Sequence, residues 1–278
     1  MIYMKKFLFT LLLLGMVPAL QARDFKWQRT VMDGSRTGVT TPTAVNVPEA
    51  LGKVGKCTYT APNGRKFWSG VTPKVASLLI GAQPQIAFVK EVVGYAPEAM
   101  LLEAPECALS DWYIDELMRA CAARSGKNVD IGIVNFGGIR VDMPQGDVLM
   151  DDILSMFPFK NYLCYLEIKG ADIRKLLQQL AATSWQVVGG ARCVVKDGKL
   201  VSAEIGGKPL DDKKVYGVCT ISFLLSGGDG ISVARNALYL EEFKDTNIID
   251  VILPYVRQLA AEGKPIQYQT DGRIIIEN

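Results

Sequence analysis

From Ile86 to the end of the chain, runs of consecutive or alternating apolar residues take turns with stretches in which apolar residues recur every three or four positions. The first pattern predicts strands, whose side chains alternate between two faces, and the second predicts helices with one apolar face. Strands are expected at IAFVKEVVGY (86–95), NVDIGIVN (128–135), NYLCYLEIKG (161–170), WQVVGGARCVVK (185–196), LVSAEI (200–205), KVYGVCTISFLL (214–225) and GRIIIEN (272–278). Helices are expected at SDWYIDELMRACAARSG (110–126), MDDILSMF (150–157), ADIRKLLQQLAA (171–182) and TNIIDVILPYVRQLAAEG (246–263). In the first of these Ser110 is the predicted N-cap and Gly126 the stop, with Trp112, Leu117, Met118 and Cys121 on the apolar face. Pro254 falls inside the last helix and should kink it. Strands and helices mixed in this way, with hairpin-like links, predict an α/β (α+β) fold, a mixed-sheet layered domain over residues 86–278. Its length of about 190 residues suits one domain.

Residues 23–85 have a different texture, rich in Gly, Pro, Thr and Asn. They predict a loop-rich extension with a few short strands and one helix, signalled by Thr72 as N-cap and Pro73 at the first helical position before KVASLLIGA. Ahead of them Lys5 and Lys6 precede an apolar run from Phe7 to Val17, then Pro18 and a small-residue exit at Ala22. That order predicts a secretory signal peptide over residues 1–22, and the run falls short of the about 20 apolar residues of a spanning helix. The expected product is an exported chain with no membrane span after cleavage, periplasmic if the source is Gram-negative.

Removing residues 1–22, which hold two lysines and no acid, takes 31 basic side chains to 29, equal to the 29 acids. A balanced chain without a long basic run argues against nucleic acid as the partner, because that affinity rests on phosphate neutralisation. The six cysteines (Cys57, Cys107, Cys121, Cys164, Cys193 and Cys219) show no C-x-x-C and no metal-type spacing. Cys164, Cys193 and Cys219 sit in apolar strand-like contexts that suit small buried hydrophobes. The chain contains no histidine, which excludes Ser-His-Asp and Cys-His catalysis and most dinuclear-metal hydrolase centres built from its own residues.

Three separated segments share one kind of content: NFGGIR (135–140), FPFKN (157–161) and FLLSGGDG (223–230). Each sets a glycine or proline turn at a strand edge beside an aromatic ring, an amide or a charge. Gly137, Gly138, Gly227, Gly228 and Gly230 form the loops and allow backbone to approach a ligand closely. Taken singly each has an ordinary reading, with Arg140 a surface cation, Phe159 a core ring and Asp229 a turn former. Taken in order, N-x-G-G-I-R, P-F-x-N before a strand ending in Lys169-Gly170, V-V-G-G, F-x-x-x-G-G-D-G and a terminal D-G-R-I resemble the C-terminal substrate-binding domain of the 5'-nucleotidase and UDP-sugar hydrolase family over about residues 90–278.

The resemblance implies that Phe159 and Phe223 sandwich a nucleobase, that Asp229 accepts hydrogen bonds from ribose hydroxyls, and that Arg140 reaches the phosphate. It implies further that Asn135 addresses the base edge and that Asn161 supports the ligand or the loop. The chain departs from the family in three places. Family members place a metallophosphoesterase domain with two metals ahead of this one, and residues 23–85 are too short for it. Ser110 and Asp111 stand where the family has glycine and asparagine or arginine. Leu102 and Glu103 lie where a further arginine is found, leaving fewer cations for a phosphate. The expected function is therefore the nucleotide- or nucleoside-binding component of a 5'-nucleotidase-type phosphohydrolase in nucleotide catabolism. It would hold no catalytic residue, cofactor or metal of its own, with two divalent metals on a separate metallophosphoesterase chain. The alternatives are a non-catalytic exported nucleoside- or nucleotide-binding protein, and a scaffold in which both rings are ordinary core residues.

Overall fold

The computed structural model describes residues 36–43 and 45–277, and the leader expected over residues 1–22 lies outside them. Up to residue 90 the chain forms a short helix α1 (Val47–Leu51), three two-residue strands β1 (Lys53–Val54), β2 (Tyr59–Thr60) and β3 (Lys66–Phe67) in one antiparallel sheet, and the helix α2 (Val71–Ala82). The N-cap of α2 is Gly70 rather than Thr72, and Pro73 lies inside the first turn. Proline fits there because the first-turn N–H groups have no intrahelical partner. The strand expected over residues 86–95 divides into a 3-10 turn at Ala87–Lys90 and β4 (Val92–Ala96). The apolar side chain of Phe88 stands exposed on that turn.

The remaining elements follow as α3 (Ala108–Ser125), β5 (Ile131–Val134), β6 (Gly146–Leu149), α4 (Met150–Met156), β7 (Tyr162–Lys169), α5 (Gly170–Ala182), β8 (Val187–Gly189), β9 (Ala191–Lys196), β10 (Lys199–Ile205), β11 (Lys208–Pro209), β12 (Val215–Ile221), α6 (Ser222–Leu225), β13 (Tyr239–Asn247), α7 (Ile248–Ala261) and β14 (Ile274–Glu277). A five-stranded sheet runs β13-β7-β12-β5-β8, a four-stranded sheet β11-β10-β9-β14, and β4 pairs with β6. The architecture is the mixed α/β fold that the alternating patterns predict. In the larger sheet only β12 and β5 are parallel. The strand expected over residues 214–225 ends at Ile221, where the chain turns into α6, and α7 runs on through Pro254 to Ala261.

The core lies between α3 and the five-stranded sheet, with Leu109, Ile114, Leu117 and Cys121 of the helix fully buried. The helix seats directly on β5 and β8 because both strands present glycine beneath it. A Cβ on Gly132 would come within 2.7 Å of Ile114 and Met118, and one on Gly189 within 2.7 Å of Met118 Sδ. The V-V-G-G segment is thus a packing feature. The N-cap of α3 is Cys107, and Ser110 closes a capping box three residues later by accepting from Cys107 N at 3.0 Å. Gly126 ends the helix in the left-handed conformation, as its place in the sequence predicts. All six cysteines are free thiols, five of them buried and Cys57 exposed.

Candidate functional site

The register of the larger sheet gathers the three aromatic-bearing turn segments. Strands β5 and β12 are parallel neighbours, so both end on one side of the sheet, and antiparallel β7 begins there, with Leu163 opposite Ile221. NFGGIR leaves β5 at that edge, FPFKN enters β7, and FLLSGGDG leaves β12. Ligand sites in sheets of this kind form where loops leave the carboxyl ends of adjacent strands.

Asp229 sits in the left-handed region (φ 53°, ψ 26°), with Gly227 and Gly230 also at positive φ on either side. Aspartate is among the few residues that tolerate this conformation. The turn is closed by Gly230 N donating to Gly227 O (3.1 Å) and Ile231 N donating to Gly228 O (3.0 Å), and Gln179 Nε2 donates to Gly230 O at 2.9 Å. The buried Asn135 reaches across from the end of β5, and its Nδ2 donates to Asp229 Oδ2 at 2.8 Å. The space beside this bond is tight, since a Cβ at Gly138 would lie 3.1 Å from Asn135 Oδ1 and one at Gly137 3.3 Å from Asn135 Nδ2.

Arg140 follows the same turn, held by its own N–H donating to Met156 O at 3.0 Å. Its Nη1 donates to Gly137 O at 3.3 Å, and the guanidinium lies 5.9 Å from the centre of the Phe159 ring. Phe159 and Phe223 are 47% and 37% exposed, so neither is a core ring. Phe223 packs over Gly228, where an added Cβ would come within 2.4–2.6 Å of three ring atoms. Asn161 braces the loops from beneath. Its carbonyl accepts from Ile248 N at 3.0 Å, its Oδ1 accepts from Ser222 Oγ at 3.4 Å, and Tyr162 N donates to the same Ser222 Oγ at 3.2 Å. The structure therefore unites Asn135 with Asp229 and Arg140 with Phe159, seats Phe223 on the glycine loop, and ties Asn161 to the start of α6.

Residues 86–236 match the family described as 5'-nucleotidase, C-terminal domain. The chain belongs to that family. It is 33% identical over 169 residues to Protein UshA of Yersinia enterocolitica, covering 57% of this chain and 29% of that protein. It is 30% identical over 118 residues to a 5'-nucleotidase of Vibrio cholerae, covering 41% and 21%. The chain thus spans less than a third of the length of these relatives. A solved 5'-nucleotidase precursor of Thermus thermophilus superposes with a TM-score of 0.65 at 24% identity over 74% of this chain and 43% of that one, which establishes the shared fold.

Within this family fold, several supporting side chains escape sequence reasoning. The buried Gln186 accepts from Phe136 N through Oε1 at 3.0 Å and holds the NFGGIR turn, while Thr220 Oγ1 donates to Ile133 O at 2.7 Å and joins β12 to β5. Nothing in their spacing marks them. Near Leu102, where no arginine is found, Asp142 Oδ1 accepts the Leu102 N–H at 2.7 Å.

The D-G-R-I segment has a structural role away from the three loops. Buried Arg273 is gripped by Asp115 at 3.0 and 3.1 Å and by Asp271 at 3.0 and 2.9 Å, and its Nε lies 3.4 Å from Asp111 Oδ2. Glu106 accepts from Gly272 N at 2.8 Å and from Ile274 N at 2.9 Å. Burial opposes the charge on Arg273, but hydrogen bonds to Asp271 and Asp115 and the attraction of Asp111 and Asp115 together raise its pKa, so its charge is permanent. Among the described residues, Glu106, Asp111 and Asp271 form the one carboxylate group close enough to share an ion, and the Arg273 cation already lies against it. This donor set does not fit a dinuclear metal centre.

Burial pushes the Asp111 carboxyl up to about 8, with Arg273 opposing and Glu106 adding to the rise. The buried Asp111 Oδ2 accepts no hydrogen bond and lies 3.4 Å from Arg273 Nε. Because the folded value lies above the unfolded one, the contribution of Asp111 is fully present below about pH 4 and is lost as pH rises through about 8. Asp111→Asn should remove that dependence. Urea denaturation at pH 5 and pH 8 is expected to show the parent losing stability relative to the variant, and parallel behaviour would refute the assignment.

Proposed function

We propose that the three loops bind the nucleoside part of a nucleotide, and that the chain is the recognition component of a 5'-nucleotidase-type phosphohydrolase acting in an exported, periplasmic setting. Phe159 and Phe223 stack on the base, Asp229 accepts from the ribose hydroxyls, and Arg140 faces the phosphate, where its planar fork suits phosphate oxygens. Asn135 holds the Asp229 carboxylate in place, and Asn161 fixes the loop that carries Phe159.

The observation that carries this reading is the hydrogen bond from Asn135 to Asp229, which joins loops 94 residues apart next to the partly exposed Phe223 ring seated on Gly228. An exposed carboxylate oriented by a buried amide suits a polar ligand, and exposed rings at the loops suit a flat one. With no histidine in the chain and its carboxylate cluster closed by Arg273, the two divalent metals are assigned to a metallophosphoesterase on a separate chain. Binding of base and ribose here would then orient the phosphate toward those metals, which supply Lewis-acid stabilisation of the transition state.

Calorimetry with adenosine and 5'-AMP should show binding, and no heat at millimolar ligand would refute the site. Phosphate release from 5'-AMP should require an added metallophosphoesterase chain with divalent metal. Release by this chain alone would overturn the division of labour, and binding without release in the mixture would leave a non-catalytic binding protein.

A further inference from the structure

The near-neutral charge of the chain conceals two oppositely charged parts. Residues 36–90 hold seven basic side chains against one acid, and residues 91–278 hold 19 against 26. Asymmetry of this kind points to a charged partner for one part. Among the described residues none of the seven cations of the extension pairs with a carboxylate.

The helix in this basic extension presents its apolar residues to solvent. No residue of α2 is buried; Thr72, Pro73, Ala76, Ile80 and Ala82 are the half-covered ones, while Val71, Val75, Leu78 and Leu79 are 73%, 44%, 75% and 58% exposed. Their spacing of four, seven and eight residues from Val71 places them in one stripe along the helix. Trp68, 69% exposed, lies in the same cleft as Leu78, Lys56, Lys74 and Cys57. On the other flank Val71, Val75 and Leu79 line an apolar cleft of about 310 Å3 with Leu51 and Tyr59. A single exposed leucine is ordinary, but a continuous stripe with a tryptophan beside it marks a contact surface.

We propose that this extension rests on an anionic phospholipid surface through α2. Leucine, valine and tryptophan flanked by lysine is the combination that settles into the boundary between headgroups and acyl chains. No described helix is long and apolar enough to cross a membrane, so the mode is to lie on the surface. A second copy packed through the same face would bring like charge against like charge, and a nucleic acid would leave the apolar stripe in water. The acidic remainder of the molecule would be turned away from the lipid, which fixes the orientation.

The test is co-sedimentation of the chain lacking residues 1–22, whose own apolar run would bind lipid, with vesicles of phosphatidylcholine alone or containing about one part in three phosphatidylglycerol. Retention is expected on the anionic vesicles and should fall roughly tenfold or more in Leu78→Ser/Leu79→Ser and in Lys56→Glu/Lys74→Glu. An environment-sensitive dye on Cys57, the exposed thiol of the six, should report entry into a less polar medium only with those vesicles. Circular dichroism checks that the variants fold, as substitution of exposed side chains predicts. Equal retention on neutral lipid, no retention on either, or indifference to both variants would overturn the proposal. So would binding of an acidic protein through the same residues without binding to vesicles.

Discussion

Arg273→Met should lower stability by about 3 kcal/mol, through loss of the charged hydrogen bonds that the buried guanidinium makes to Asp115 and Asp271. Arg273 is the cation at the centre of four acids, Glu106, Asp111, Asp115 and Asp271, and it fastens the entry of β14 to the start of α3. Methionine fills similar volume but supplies no charge and no N–H. Asp111 answers the loss by holding its proton more tightly, but Asp115 and Asp271 are left facing each other as anions. For a chain of this size a change of that magnitude lowers the melting temperature by roughly 10 °C. The double variant Asp111→Asn/Arg273→Met should lose less than the sum of the separate losses, because the two residues share one network. A melting temperature within about 2 °C of the parent would show that the ion pairs contribute little net stability.

The same network illustrates what the sequence could and could not say. D-G-R-I is readable as a motif, but its acids come from Glu106, Asp111 and Asp115, more than 150 positions away. The strands of the large sheet were legible where both faces are buried, as in β5, β7 and β12, because their apolar runs are continuous. Strand β13 was not foreseen. It forms an edge, only Phe243 is buried along it, and its charged residues show no alternation. The strand expected over residues 214–225 is longer than β12 because Phe223 and Leu224 extend the apolar pattern into α6. For α2 the periodicity was legible but the environment was not, since spacing cannot tell a stripe facing a core from one facing solvent. The three loops of the candidate site could be picked out by composition, whereas the bond from Asn135 to Asp229 depends on the parallel pairing of β5 with β12, which no local pattern encodes.

Gly228→Ala should weaken adenosine binding nearly as much as Phe223→Ala, although it removes no group that touches a ligand. Loss of one stacking ring is worth roughly 1–3 kcal/mol, or about 5- to 150-fold in affinity. An alanine Cβ at position 228 would meet Phe223 Cε1, Cδ1 and Cζ at 2.4–2.6 Å, well inside van der Waals contact. The backbone accepts the change, since Gly228 is not among the positions of positive φ, unlike Gly227 and Gly230. The side chain of Phe223 is partly exposed, so it can swing outward at little cost to the fold. The collision therefore appears in ligand affinity rather than in stability, and the melting temperature should stay within a few degrees of the parent. Gly227→Ala provides the contrast, because strain at φ 89° would disturb the loop itself and lower stability together with affinity. Calorimetric titration of the three variants with adenosine separates the cases. If Gly228→Ala binds like the parent while Phe223→Ala does not, the ring engages the base from a position other than the one it takes over the glycine loop.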